Sequence, residues 1–376
     1  MSFLDRHNPP RSCFRARLND FNQPVRGIFL MKFNKKLIAG AILAATASFT
    51  LSAQAEGVNK ITGAGSSFAY PIISKWASEY KTEKGVEVNY QSVGSGAGIK
   101  QIIAKTVDFG ASDDPMTVAD LEKNGLTQWP LIMGGIVPVA NIPGSKQGEF
   151  VISGPVLADI MMGKITKWND PALEKLNPGK KLPNMQITVV HRSDASGTTA
   201  IFTNYLSKVS PEWKEKVGEG KTVNWLSKGN LGGKGNEGVA SYTDRIKGAI
   251  GYVEYAYALQ NKLPYMDMIN SAGKRVAPTM ENFGAAAANA DWKSAPAFRV
   301  VLTDQPGDDS WPITGSTFAI VHTNPENPGN VKAVLDFFKW SMEHGQKAAE
   351  ELHYIPIPAN VAKLIETSWS ENIKLK

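Results

Sequence analysis

Cysteine is almost missing from this chain: of its 376 residues only Cys13 is one. A single thiol excludes an internal disulfide, and the lack of any cysteine beyond Ala55 removes the lipid-modifiable thiol that tethers many exported proteins. Long apolar runs are scarce too. The one uncharged apolar stretch, Leu37 to Leu51, is too short to span a bilayer comfortably, and no second one follows. Histidine is sparse, with four residues after Ala55, His191, His322, His344 and His353, and no two at ligand spacing, so no metal is expected. No repeat, heptad or low-complexity tract appears.

What is present begins with an address. Met31 is followed by Lys32, Lys35 and Lys36, then by the apolar run, then by Ala53-Gln54-Ala55, which fits the small-x-small rule for a secretory cleavage site. Cleavage there leaves Glu56 as the first mature residue. Residues 1–30 read as an overlong start upstream of that signal. The expected product is free, exported and periplasmic. Processing also changes the electrostatics. Eight of the 41 basic and two of the 35 acidic residues lie before residue 56, which leaves 33 of each and a formal net charge of zero. The basic character of the whole sequence is therefore no argument for nucleic acid or membrane surfaces. Any anion site must be local.

The 321 residues after Ala55 (376 less 55) suffice for two domains of ordinary size. Strand and helix signals alternate as in a βαβ chain. Lys60–Thr62 is a short strand, and Ile72, Ile73, Trp76 and Tyr80 share a helical face that Gly85 ends. Val86, Val88 and Tyr90 alternate as a strand; Ile99, Ile102 and Ile103 mark the next helix. Val107–Ala111 is a strand stopped by Ser112-Asp113-Asp114-Pro115, with Thr117 as a helix cap. Leu131–Ile142 is nearly continuous apolar strand and reads as a crossing into a second domain, which repeats the scheme: strand 187–190, loop 191–197, helix 198–206. Trp311–Val321 reads as the returning strand. The helix after Val331, with Val334, Phe337, Phe338 and Trp340, is expected to pack on the first domain.

Three Gly/Ser/Thr loops, at 63–67, 94–98 and 195–198, each join a strand to a helix start. This is anion-binding grammar, because a helix amino terminus offers unpaired N–H groups and a positive dipole end while Ser and Thr add hydroxyl donors. The same loops also serve simply as caps. Arg192 and Asp194 flank the third, and an arginine held by a carboxylate can grip two oxygens of a tetrahedral anion. By spacing alone a surface ion pair fits equally well.

Thr62-Gly63-Ala64-Gly65-Ser66-Ser67-Phe68, Val107-Asp108-Phe109-Gly110-Ala111-Ser112-Asp113 and Arg192-Ser193-Asp194-Ala195-Ser196-Gly197-Thr198 resemble three signature segments of the periplasmic phosphate-binding protein family. The segments Leu231–Asn236 and Gly248–Ala258 are similar to two more. The resemblance implies an α/β, two-lobed fold of the type II periplasmic binding class with two crossover strands. Residues 56–138 and 312–376 would form lobe I, and residues 139–311 lobe II. It implies inorganic phosphate as ligand, an ABC phosphate permease as partner, a monomer, and no catalysis or cofactor. Carried over by position, the ligand shell is Ser67, Phe68 through its N–H, Ser95, Asp113, Arg192, Ser196, Gly197 and Thr198, with Asp194 orienting Arg192. Ser67 stands where the family commonly has Thr.

Two rivals compete with this reading. A serine hydrolase would use His191 with Ser196, but no Gly-x-Ser-x-Gly elbow is present. A sulfate-binding protein would have no use for a buried carboxylate at Asp113, which suits an oxyanion that keeps a proton. A helix cap is the structural alternative for Asp113, and Asp114 is equally placed for it. Gly229–Gly235 fails as a Walker loop because Gly235 follows Lys234 where Ser or Thr is required, and it reads as a turn.

Overall fold

A computed structural model describes residues 58–376, so the signal from Met31, Cys13 and the cleavage after Ala55 lie outside the described residues. Strands and helices alternate: β1 (Lys60–Gly65), α1 (Tyr70–Lys84), β2 (Glu87–Ser92), α2 (Ser95–Ile103), β3 (Phe109–Ser112) and α3 (Val118–Asn124). A long strand, β4 (Leu126–Ala140), leads to β5 (Val151–Ser153), α4 (Gly154–Met161), α5 (Pro171–Leu176), β6 (Thr188–Arg192), α6 (Gly197–Val209) and α7 (Pro211–Lys216). Next come β7 (Leu231–Gly233), α8 (Gly235–Arg245), β8 (Ala249–Glu254), α9 (Tyr255–Gln260), β9 (Asp267–Ile269), β10 (Arg275–Val276) and α10 (Met280–Ala287). Then β11 (Thr314–His322) returns ahead of α11 (Pro328–His344), α12 (Gln346–Glu351) and α13 (Ala359–Asn372).

Helix α1 follows from its residues. Pro71 is pre-set for a first turn, Ile72, Ile73, Trp76 and Tyr80 are its buried face, and Gly85 ends it in the left-handed region at φ 74°. The helix at 328–344 does pack on this first part: Phe337 and Trp340 lie against Tyr80, each with ring centroids 5.3 Å away. Trp129 meets Phe338 and Trp369 edge-on.

The main sheet runs β2-β1-β3-β11-β4-β8-β6-β7. It is two similar halves. In the first, β2, β1 and β3 are parallel and β11 joins antiparallel. In the second, β7, β6 and β8 are parallel and β4 joins antiparallel. Strand β4 belongs to both, pairing with β11 along Leu126–Gly135 and with β8 along Ile136–Ala140. The crossing expected at Leu131–Ile142 is this strand. In each half the carboxyl ends of the parallel strands point to the same place, and such ends at a change of strand order are where α/β sheets bind ligands.

The structure corrects several boundaries. Strand β3 begins at Phe109 because the Asp108 carboxylate accepts from the Thr62 N–H (2.7 Å) and hydroxyl (2.9 Å), occupying the ladder position one residue earlier. Helix α2 starts at Ser95, so 95–98 is its first turn and not a loop. The turn expected at 229–235 contains β7 and the start of α8, so it is a fourth strand-to-helix junction. Its Gly235 has φ +68°, a conformation that side chains other than glycine rarely take. Among the described residues no helix is long and apolar enough to cross a membrane.

Candidate functional site

The first loop, after β1, places Ser66, Ser67 and Phe68, all buried, at the amino end of α1. Ser95 opens α2, Asp113 follows β3, Arg192 ends β6, and Ser196 caps α6 by accepting from the Thr199 N–H at 3.0 Å. All of these converge where the two halves of the sheet meet. Ser95 Oγ accepts both the Asp113 N–H (3.2 Å) and the Gly197 N–H (3.1 Å), one from each half. The Gly96 N–H donates to the Ala195 carbonyl at 2.9 Å. A Cβ on Gly197 would lie 2.5 Å from Ser95 Oγ, so only glycine permits this approach.

Arg192 is the cation of the site, with its side chain 1% exposed. Nε and Nη2 donate to the two Asp194 carboxylate oxygens at 2.8 and 2.6 Å, and Nη1 donates to Thr198 Oγ1 at 3.2 Å. Those three bonds leave one N–H on each terminal nitrogen of a five-donor guanidinium with no acceptor among the described residues. Burial alone would raise the Asp194 carboxyl; the Arg192 bonds and charge and the Gly235 N–H hold it below its ordinary value.

Asp113 faces Arg192 from the other half. Its Oδ1 accepts from the Ser66 hydroxyl and from Thr317 Oγ1 at 2.7 Å, while Oδ2 has only Thr198 Oγ1 at 3.5 Å. Burial pushes this carboxyl up to about 6, against the opposing pull of Ser66 and Thr317 and the charge of Arg192. It caps no helix. Thr117 caps α3 by accepting from the Asp120 N–H, and Asp114 pairs across the cleft with Lys221, a partly exposed contact worth at most about 1 kcal/mol.

The hydroxyls share a peculiarity. Ser67 Oγ accepts the Asn236 N–H (3.1 Å) and the Asn236 side-chain amide (2.9 Å). Thr198 Oγ1 accepts Arg192 Nη1 and Asn236 Nδ2, both at 3.2 Å, and Ser95 Oγ accepts two backbone N–H groups. With both lone pairs taken, each hydroxyl can only donate: the hydrogens of Ser67 and Ser95 have no acceptor among the described residues, and that of Thr198 has only the long 3.5 Å contact to Asp113 Oδ2. Three neutral groups are thereby made donors beside one cation.

Every residue expected at the site is therefore in this cluster, and others not expected from the sequence join it: Ser66, Asn236, Glu254, Thr317 and Tyr354. Asn236 sits in the fourth strand-to-helix junction, whose Gly-rich stretch resembles the other three and was the available signal. Glu254 stands as the one charged residue in the buried strand β8, which was the signal for it, whereas Thr317 is one of several polar residues in β11 and nothing in the sequence set it apart. His191 is engaged elsewhere: its Nδ1 lies 2.8 Å from the Arg192 carbonyl, its Nε2 3.0 Å from Asn230 Oδ1, and its ring stacks on Trp225 at 4.8 Å. Among the described residues no group of three acidic, histidine or cysteine side chains is placed to hold a metal.

Comparison with known proteins gives consistent results. A family model described as a PBP superfamily domain matches residues 50–343. The chain is 54% identical over 340 residues to a protein of Pasteurella multocida named phosphate-binding protein PstS, covering 90% of this chain and 97% of that one. It is 55% identical over 316 residues to the protein of the same name from Haemophilus influenzae, covering 84% and 94%. Among solved structures, a phosphate binding protein from Stenotrophomonas maltophilia superposes with a TM-score of 0.62 at 18% identity, covering 82% of this chain and 93% of its own, a likeness of fold.

Proposed function

The chain belongs to the PBP superfamily and, within it, to the family of these phosphate-binding proteins, and from that membership we propose that it binds inorganic phosphate in the periplasm and delivers it, unchanged, to an ABC-type import permease. The observation that carries this reading is the set of hydroxyls left with only a hydrogen to give, gathered around one buried guanidinium and one buried carboxylate. A tetrahedral oxyanion needs many donors, and one that keeps a proton also needs one acceptor. The proposed shell is Ser67, the Phe68 N–H, Ser95, Asp113, Arg192, Ser196, Gly197 and Thr198, with Asp194 fixing the guanidinium plane. Asp113 Oδ2, the less occupied oxygen, accepts from the protonated ligand oxygen, which favours phosphate over sulfate.

In this reading residues 56–138 with 312–376 form lobe I and residues 139–311 form lobe II. The lobes hinge at β4 and at the chain entering β11, and close over the ligand through Ser95 and Gly197. The protein acts as a monomer and as a carrier, not an enzyme. Titration calorimetry should give one phosphate per chain, recovered intact, with a change in tryptophan fluorescence. Trp225 is placed to report it, since it stacks on Tyr252, whose hydroxyl accepts the Arg192 backbone N–H at 3.3 Å. Hydrolysis of a phosphate ester by purified protein, lost in Ser196→Ala, would overturn the carrier reading. The exported protein should begin at Glu56, and intact mass of the periplasmic form checks this; retention of any of residues 1–55 would contradict it.

A further inference from the structure

Glu254 is fully buried, ends β8 beside the point where β4 changes halves, and belongs to no part of the ligand shell proposed above. Its surroundings are a problem in hydrogen counting. The Tyr354 hydroxyl lies 2.7 Å from the Phe68 carbonyl and 2.8 Å from Glu254 Oε2. A phenol has one hydrogen, and if Glu254 is ionised both of these neighbours are acceptors, so one contact between oxygens has no proton in it. A proton on Glu254 resolves the conflict: Glu254 donates to Tyr354, and Tyr354 donates to Phe68. The remaining carboxyl contacts are compatible with this, since the Ala256 N–H reaches both oxygens at 3.0 Å.

The same residue also touches the site by a second route. The Glu254 N–H donates to Asn236 Oδ1 at 2.9 Å, and the Asn236 amide is the group that occupies the lone pairs of Ser67 and Thr198. One residue thus sets the Phe68 peptide in the first half and Asn236 in the second. We propose that Glu254 is a positioning residue for anion binding whose side chain works in its protonated form, holding the Phe68 backbone through Tyr354, while its backbone N–H holds Asn236, and with it the donor hydroxyls, in either protonation state. This rests on the phosphate reading.

The burial of Glu254 acts in the same direction and pushes its carboxyl up to about 8, with the Asp113 charge adding to the rise. The other titratable groups around it are Tyr255 and Tyr257 on α9 and Tyr354 itself, all three raised by burial and so neutral in this range. His353 packs on the Tyr255 ring at 5.7 Å. Asp113, at about 6, has already ionised before Glu254 begins to titrate. Because the raised value favours the neutral form, the relay is intact below about pH 8 and is lost as pH rises through it. Ionisation would also add a negative charge beside a site for an anion.

The test compares wild type with Glu254→Gln, whose side-chain amide supplies a permanent donor to Tyr354 and an acceptor to the Ala256 N–H. Phosphate affinity is measured by calorimetry from about pH 7 to about pH 9 in each protein, and the change is taken within each, so that titration of phosphate itself cancels. If only the protonated form binds well, wild type loses about tenfold more than Glu254→Gln by about pH 9. Tyr354→Phe, which cuts the relay and leaves only the added charge, should show a smaller extra pH dependence than wild type. Superimposable profiles for wild type and Glu254→Gln would overturn the proposal. A second arm needs no ligand: infrared difference spectra should contain a neutral carboxylic acid band at about pH 7 that fades towards about pH 9 and is missing in Glu254→Gln. Its absence from wild type would sink the protonated state even if phosphate binds, whereas a protein with the band but no affinity for phosphate would refute the phosphate reading and, with it, the role in binding.

Discussion

Arg192→Ala is expected to weaken phosphate binding by about 2 to 5 kcal/mol, the range for removing one member of a buried charge pair. At about 1.4 kcal/mol per factor of ten, that is a loss of roughly 30-fold to several thousandfold. Two effects add. The ligand loses the only cation in its shell, and Asp194, now without its bidentate partner, leaves a negative charge near an incoming anion. The Thr198 hydroxyl loses one of its two donors as well, so it is no longer confined to donating. Asp194→Asn should weaken binding less, since it loosens the guanidinium without removing it. Calorimetry on the three proteins decides the matter: an Arg192→Ala affinity within a factor of two of wild type would mean that the anion is held elsewhere.

Asp113→Asn should change selectivity more than affinity. In wild type, Asp113 Oδ1 is occupied by Ser66 and Thr317, while Oδ2 has only the 3.5 Å contact from Thr198 Oγ1 and is the acceptor proposed for the ligand. A site that demands a ligand hydroxyl can reject an analogue lacking it by about 10⁴-fold or more, because a buried group is left unpaired and, here, like charges meet. Arsenate keeps a proton and should compete. The Asn side chain can turn its NH₂ to a bare oxygen, so sulfate should gain far more than phosphate loses. Acid should act in the same sense. The Asp113 carboxyl is raised to about 6, so its neutral form, a donor, prevails below that pH, and the penalty on sulfate shrinks as pH falls through it. Displacement of labelled phosphate by sulfate and by arsenate, with wild type and Asp113→Asn at fixed salt, measures this. Equal competition by sulfate in both proteins would move the source of selectivity to another residue.

Much of this molecule is legible in the linear chain, because the signals are local. Periodicity marks α1 with its buried face and its Gly85 stop, and the nearly continuous apolar run from Leu131 marks the strand that serves both halves of the sheet. The Ser, Thr and Gly clusters between strand and helix signals mark three of the four Gly-rich junctions that meet at the site, since helix starts need caps and free N–H groups wherever they occur. Spacing could not decide whether Arg192 and Asp194 form a surface pair or a buried clamp; the family resemblance chose the clamp, and the fold has that clamp with its arginine out of solvent. The sequence by itself determined the element order, the likeness to phosphate-binding proteins and the residue types for holding an oxyanion. Only the tertiary structure decided which lone pairs are occupied, and hence which hydroxyls must donate. Asn236, Glu254, Thr317 and Tyr354 enter for the same reason: they lie 18 to 286 residues from the partners they orient, and hydrogen bonds of that range have no periodicity to betray them. The protonation expected of Glu254 is likewise set by burial and by a phenol brought from the far end of the chain, neither of which a linear sequence displays.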